Sequence, residues 1–221
     1  MMGQADFNDL FDIFPEMLRP EVISILQFLK GEKERGACSG IMVYTNNKYP
    51  KEWVYLIIQY IQHKVGYKIF DNIVLAFKMH GRVQQMGRTT NDKKIEDFVA
   101  CCRLPQSVEI CYFDNSEYSG MVAENVYYLK VRAYYHPFTE NSIVQWITNR
   151  PVLNRVLCAA NKRQIQTFTQ FFIKNLHRKG YHFADKSFLD YEMDKVISKR
   201  IRTHLTDFFR HIVVTNSVRA K

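Results

Sequence analysis

Hydrophobic positions follow two periods along this chain, and the alternation between them sets the expected architecture. Phe7, Leu10, Phe11 and Phe14 recur at helical spacing. A second helix is expected from Arg19-Pro20-Glu21, with Val22, Ile25, Leu26 and Leu29 as its apolar stripe. A charged loop follows, bounded by Gly31 and Gly40. Residues 41–44 are a short apolar run that stops at Thr45-Asn46-Asn47, the pattern of a buried strand. Pro50 to Val65 returns to helical spacing through Trp53, Leu56, Ile57, Tyr60, Ile61 and Val65. Ile73 to Phe77 is the next expected strand, and His80 to Asn91 a polar loop. A helix then starts near Asp92 and ends near Leu104-Pro105. Strand 108–113 closes on Asp114-Asn115-Ser116, and Glu124 to Val131 is a last strand.

Strands alternating with helices in this order predict an α/β fold with a parallel sheet in three layers. From Asn141 onward the pattern is helical throughout, over Ser142–Thr148, Pro151–Lys179 and Lys186–Ile212. Phe168, Phe171, Phe172 and Leu176 stripe the second of these. Tyr191, Val196, Ile197, Ile201, Leu205, Phe208 and Phe209 stripe the third. The expected division is an α/β domain over 1–148 and an all-helical extension over 149–221.

Composition narrows the class. The chain has 221 residues, 47% of them hydrophobic, which suits a globular core rather than a disordered segment. No apolar run reaches the roughly 18 residues of a membrane span. No basic segment leads into an apolar one at the start, so a protein that is not secreted is expected, in cytoplasm or nucleus. Five cysteines (Cys38, Cys101, Cys102, Cys111 and Cys158) lack metal-ligand spacing and suit reduced intracellular thiols. Charge is lopsided: residues 150–221 hold 15 Lys and Arg against 5 Asp and Glu, while residues 1–149 hold 16 against 17. The basic third could meet an acidic protein segment or nucleic acid, or be a solvated helical face.

Ligands of parallel sheets lie beyond the carboxyl ends of the strands, where Thr45-Asn46 and Asp114-Asn115 fall. Thr45 also suits a helix cap, and Asp114-Asn115-Ser116 an ordinary turn. Taken together, Arg19-Pro20, Val43-Tyr44-Thr45-Asn46-Asn47, Lys93-Lys94-Ile95 and Tyr112-Phe113-Asp114-Asn115-Ser116 resemble the haloacid dehalogenase superfamily. Within it they are most similar to the phosphatase branch that acts on the polymerase carboxy-terminal domain. The resemblance covers about residues 16–148 and implies a Rossmann-like domain that removes phosphate from phosphoserine or phosphothreonine in proteins, using Mg²⁺. By the same resemblance Thr45 and Asn46 would meet the phosphoryl group, and Lys93 or Lys94 would neutralise it. Asp114 would hold the metal, with Asn115 beside it.

One part of the motif set departs from that pattern. The superfamily's nucleophile stands in Asp-x-Asp-x-Thr after an apolar strand, and the nearest approach here is Asp6-Phe7-Asn8-Asp9-Leu10. Two expectations follow. One is a phosphatase whose first strand precedes Met1. The other is a non-catalytic interaction module of the same fold, for which the mitochondrial import receptor of that branch is a precedent. A nucleic-acid-binding protein acting through residues 150–221 is the third alternative, and it would depend on Lys199, Arg200 and Arg202.

Overall fold

The structure is a computed structural model that describes residues 3–149 and 161–219. Seven α-helices and six short strands occur among these residues. They divide into two compact units: residues up to Pro20 with Tyr134–Val196, and Glu21–Ala133 with Ile197 onward. The partition is discontinuous in sequence, where the hydrophobic pattern suggests a break at 148/149.

The unit beginning at Glu21 carries all the strands. Helix α2 (Val22–Glu34) is longer than expected, running through Gly31 to Glu34, with Arg35 as its C-cap and Gly36, at a φ of 76°, turning the chain just beyond. The charges in this segment that predict a loop are instead tied down. Lys33 Nζ reaches Asp71 at 2.7 Å, and buried Glu32 pairs with Arg35. Pro20 and Glu21 stand before the helix rather than in its first turn, and Glu21 takes a left-handed φ of 62°. Strand β1 (Met42–Tyr44) leads to α3 (Lys51–Val65) and back to β2 (Asn72–Val74). On α3 the buried residues are Val54, Ile58, Tyr60 and Val65, and Trp53 is 39% exposed. The buried face is therefore turned by about one residue from the expected one, because Val54 and Ile58 lie between the more conspicuous aromatics.

The polar loop after β2 contains a small hairpin, β3 (Lys78–Met79) and β4 (Arg82–Val83). Its turn residues His80 and Gly81 have φ of 49° and 78°, the positive values a two-residue hairpin requires. Helix α4 (Ile95–Cys102) follows, then β5 (Ile110–Asp114) and β6 (Val126–Lys130). Pairing is parallel for β1 with β2 and for β5 with β6, and antiparallel only in the hairpin. The parallel pairs share one core: Tyr44 and Val74 from the first, Ile110 and Tyr112 from the second, joined by Phe98, Val99 and Met121. A second cluster packs Ile25 against Leu205 and Phe209 of α7 (Phe188–Arg219), with Cys111 and Phe113 alongside.

The other unit is helical. Helix α1 (Gln4–Ile13) and α5 (Glu140–Asn149) meet through Ile13, Phe14, Phe138, Ile143 and Ile147. Helix α6 (Lys162–Arg178) adds Phe168, Phe172 and Leu176 to this cluster, and starts on a reciprocal cap between Asn161 and Gln164. Phe171, expected in the same stripe, is 65% exposed. Of the last stripe, Ile201, Leu205, Phe208 and Phe209 pack inward, while Tyr191 and Val196 are exposed. The part of the expected helix over 151–160, with Cys158, lies outside the described residues. The four cysteines within them are free.

Candidate functional site

Strand β5 ends on Asp114, and Lys93, two residues before α4, is placed to meet it. Lys93 Nζ lies 2.5 Å from Asp114 Oδ2, and the two side chains are only 7% and 9% exposed. Three donors therefore converge on one carboxylate. Besides Lys93, the Tyr112 hydroxyl donates to Oδ2 at 2.8 Å, and the Ser116 N–H donates to Oδ1 at 2.8 Å. Aromatic rings enclose the ammonium: its Nζ is 5.3 Å from the Tyr44 centroid, 5.7 Å from Tyr112 and 5.3 Å from Tyr118.

Tyr118 connects this pair to the end of β1. Its hydroxyl accepts from Asn46 Nδ2 at 3.4 Å, and its N–H donates to the Tyr128 hydroxyl at 3.0 Å. Tyr128 in turn donates to the Ser116 carbonyl at 2.8 Å. The carboxyl ends of β1 and β5 are thus brought together by Lys93 and Tyr118.

The expected residues fare differently. Lys93 is the buried lysine. Lys94 has an exposed side chain; its N–H donates to the Tyr44 hydroxyl at 3.3 Å and its carbonyl accepts from the Phe98 N–H at 3.1 Å. Thr45 sits at the end of β1, but its hydroxyl accepts from the Asn47 N–H at 3.0 Å and so caps its own turn. Asn46 takes part through Tyr118, whereas Asn115 lies exposed on the turn after β5.

Arg88 was not foreseen at all. It is 2% exposed and fills a gap with donors. Its guanidinium donates to the carbonyls of Leu75 at 2.9 Å, Asn91 at 3.0 Å, Asp92 at 3.2 Å and Thr45 at 3.4 Å. It also lies over the Tyr44 ring at 4.7 Å. One arginine therefore clamps the ends of β1 and β2 to the loop that delivers Lys93. A single arginine in a polar loop gives no sequence signal for this.

Burial and pairing compete at the charges. At Asp114 burial raises the pKa, but the bonds from Lys93, Ser116 and Tyr112 together hold it below the ordinary value of 3.8. At Lys93 burial outweighs the hydrogen bond to Asp114 and, helped by repulsion from Arg88, lowers the pKa from 10.5. The Tyr112 phenol is pushed far up by burial and by the carboxylate it donates to.

The resemblance implies Mg²⁺ on Asp114, and the residues present do not suit it. Both carboxylate oxygens already accept from Lys93, Tyr112 or Ser116, and a cation beside Lys93 would meet a like charge at close range. Among the described residues no group of three or more His, Cys, Asp or Glu is placed to hold a metal. Magnesium favours a site with near-octahedral oxygen ligands.

The support under Lys93 is tight. A Cβ added at Gly120 would come within 2.9 Å of Lys94 Cγ and 3.0 Å of the Lys93 carbonyl. Gly120→Ala is therefore expected to destabilise this unit by about 1–3 kcal/mol through overpacking, read as a lower denaturant midpoint.

These features define a mixed α/β protein with paired parallel strands and a charged pair at their carboxyl ends. No helix among the described residues is long and apolar enough to cross a membrane. Comparison with protein-family models, curated proteins and solved structures finds no match.

Proposed function

We propose that the strand-bearing unit is a three-layer, Rossmann-like domain of the haloacid dehalogenase type, and that it works as a non-catalytic protein-interaction module. The observation that carries this reading is the closed Lys93–Asp114 pair at 2.5 Å, with Tyr112 and Ser116 completing the carboxylate's bonds. A phosphatase of that type needs a nucleophilic carboxylate near the lysine. Here the charged neighbours acting on Lys93, among the described residues, are Asp114 and Arg88. The lysine's attraction is spent inside the protein, and Asp114 is oriented toward it rather than toward a metal. The parallel pairing of β1 with β2 and β5 with β6 supports the fold assignment, as does the meeting of their ends at Lys93.

The partner is an acidic or phosphorylated protein segment, in keeping with the charge excess of the last third. The nucleic-acid alternative has less support, since Arg202, one of the three cations named for it, stacks on the Phe28 ring at 3.7 Å. Turnover decides between module and enzyme. Incubated with a phosphoserine peptide and with p-nitrophenyl phosphate in Mg²⁺, the chain is expected to release no phosphate above buffer. Release that Lys93→Ala abolishes would overturn the module reading and make the protein a phosphatase.

A further inference from the structure

Helix α6 has a face that the helical unit does not use. Its inward side, Phe168, Phe172 and Leu176, packs with Ile13, Phe14 and Phe138. Arg163, Thr167, Phe171, Lys174 and Arg178 are all exposed. They follow at steps of four, four, three and four residues. At 3.6 residues per turn this spacing lines them along one face for roughly 22 Å.

The charge of this face is not answered within the unit. Helix α6 holds Lys162, Arg163, Lys174 and Arg178 and no acid. The acid that it meets in an ion pair among the described residues is Glu140, at His177. Arg178 donates to the uncharged Asn175 Oδ1 at 2.8 Å, and Arg163 and Lys174 have no acidic partner among the described residues.

At the start of the same face lies an open cleft of about 470 Å³, lined by Asn161, Arg163, Gln164, Thr167, Phe168 and Phe171. Ligand-binding clefts have volumes of this order. Phe168 and Phe171 give it apolar surface, and its free polar groups are donors. Asn161 Oδ1 accepts from the Gln164 N–H at 2.9 Å, and Gln164 Oε1 accepts from the Asn161 N–H at 2.8 Å. Each amide therefore has its NH₂ left to offer, and Arg163 can only donate. The Thr167 hydroxyl is spent on the Arg163 carbonyl at 3.0 Å.

An exposed ring among cations and amide donors complements anionic acceptors that flank an apolar side chain. Two kinds of macromolecule carry that chemistry. Single-stranded nucleic acid stacks successive bases on several rings. Of the three phenylalanines of α6, only Phe171 is exposed. An acidic protein segment needs one apolar anchor in one cleft, which is what this face provides. The chain's own acidic and aromatic stretch, Asp6 to Asp12, is folded into α1 with Phe7 fully buried, so a second copy does not present it.

We propose that the outer face of α6 docks an acidic segment of a partner protein. One bulky apolar side chain of the segment sits against Phe171, and its carboxylates meet Arg163, Lys174 and Arg178. This rests on the module reading and gives its acidic partner a surface.

Fluorescence anisotropy of the labelled peptide Asp-Glu-Asp-Leu-Leu-Asp-Glu, titrated with the full chain, tests this. Binding is expected, and it should weaken as salt rises because the charge pairs are open to solvent. Arg163→Ala with Lys174→Ala should weaken it roughly tenfold, and Phe171→Ala by a similar factor. The melting temperature should stay in place, since all three side chains are exposed. Binding absent at about 1 mM protein, or unaltered by these substitutions, would overturn the inference. Equal binding of the neutral peptide Asn-Gln-Asn-Leu-Leu-Asn-Gln would overturn it as well. An oligothymidylate that binds more tightly, and is released by Phe171→Ala, would replace the acidic protein by nucleic acid. Self-association that Phe171→Ala abolishes would replace it by a second copy. Peptide binding lost only in Lys199→Ala with Arg200→Ala would move the docking to α7 and sink the surface while the module reading stands. None of these readouts involves phosphate release, so the two claims fail separately.

Discussion

Asp114→Ala is expected to cost about 3–5 kcal/mol of folding stability, because it leaves the Lys93 ammonium buried without its carboxylate. The side chains are 7% and 9% exposed, so water cannot readily replace the lost partner. The Tyr112 hydroxyl and the Ser116 N–H lose their acceptor in the same step. A chemical-denaturation midpoint checks the magnitude. The double replacement Lys93→Met with Asp114→Leu should recover most of the loss, since an apolar pair of similar volume is often neutral or better. If Asp114→Ala shifted the midpoint by less than the effect of an ordinary surface substitution, the pair would not be the lock described here. The pH dependence has a fixed sign. With its folded pKa below 3.8, Asp114 contributes stability that is fully present above that value and is lost as pH falls through the folded pKa. In Asp114→Ala this acid-side loss should shrink.

The second large effect is expected at Arg88. Arg88→Ala removes donors from four carbonyls and opens a cavity where a 2% exposed side chain stood. The expected cost is again about 3–5 kcal/mol, combining the cavity with the unpaired acceptors. Arg88→Lys should rescue little, because an ammonium cannot span carbonyls that a planar fork reaches. The distinctive readout is local. Losing the clamp should speed amide exchange at Lys94, whose N–H donates to the hydroxyl of Tyr44, the residue over whose ring Arg88 lies. Rescue to wild-type stability by lysine would mean that charge, not geometry, is what Arg88 supplies.

Much of the strand-bearing unit was legible in sequence, for physical reasons that can be traced. β1 and β5 stop where apolar runs meet Thr45-Asn46 and Asp114-Asn115, and buried strands end where polar side chains must find water or partners. The helices α3 and α4 were legible because their apolar spacing is regular. Elements decided by tertiary contacts were not. Helix α2 runs past Gly31 because Lys33 finds Asp71, thirty-eight residues away, and a local reading sees only a charged loop. The His80-Gly81 turn hides in a polar stretch because two-residue strands leave almost no hydrophobic pattern.

The site divides along the same line. Lys93 and Lys94 are adjacent candidates in a one-dimensional reading, and only the tertiary structure shows the first buried against Asp114 and the second exposed. Thr45 carries the right chemistry for a phosphoryl contact, yet it spends its hydroxyl on the Asn47 N–H. The tyrosines were visible as composition only. That Tyr44, Tyr112 and Tyr118 would surround one ammonium depends on three separate elements coming together.

If Asp114 is held by Lys93, Tyr112 and Ser116 with no room for a metal, an NMR titration with Mg²⁺ should leave its surroundings undisturbed. Because the Ser116 N–H donates to Asp114, its resonance reports any ion that reaches the carboxylate. Millimolar Mg²⁺ is expected to leave the Ser116 and Lys94 amide resonances in place, and chelation to leave the melting temperature unchanged. A saturable shift at Ser116 that disappears in Asp114→Asn would contradict it and return the site to metal-dependent phosphoryl chemistry.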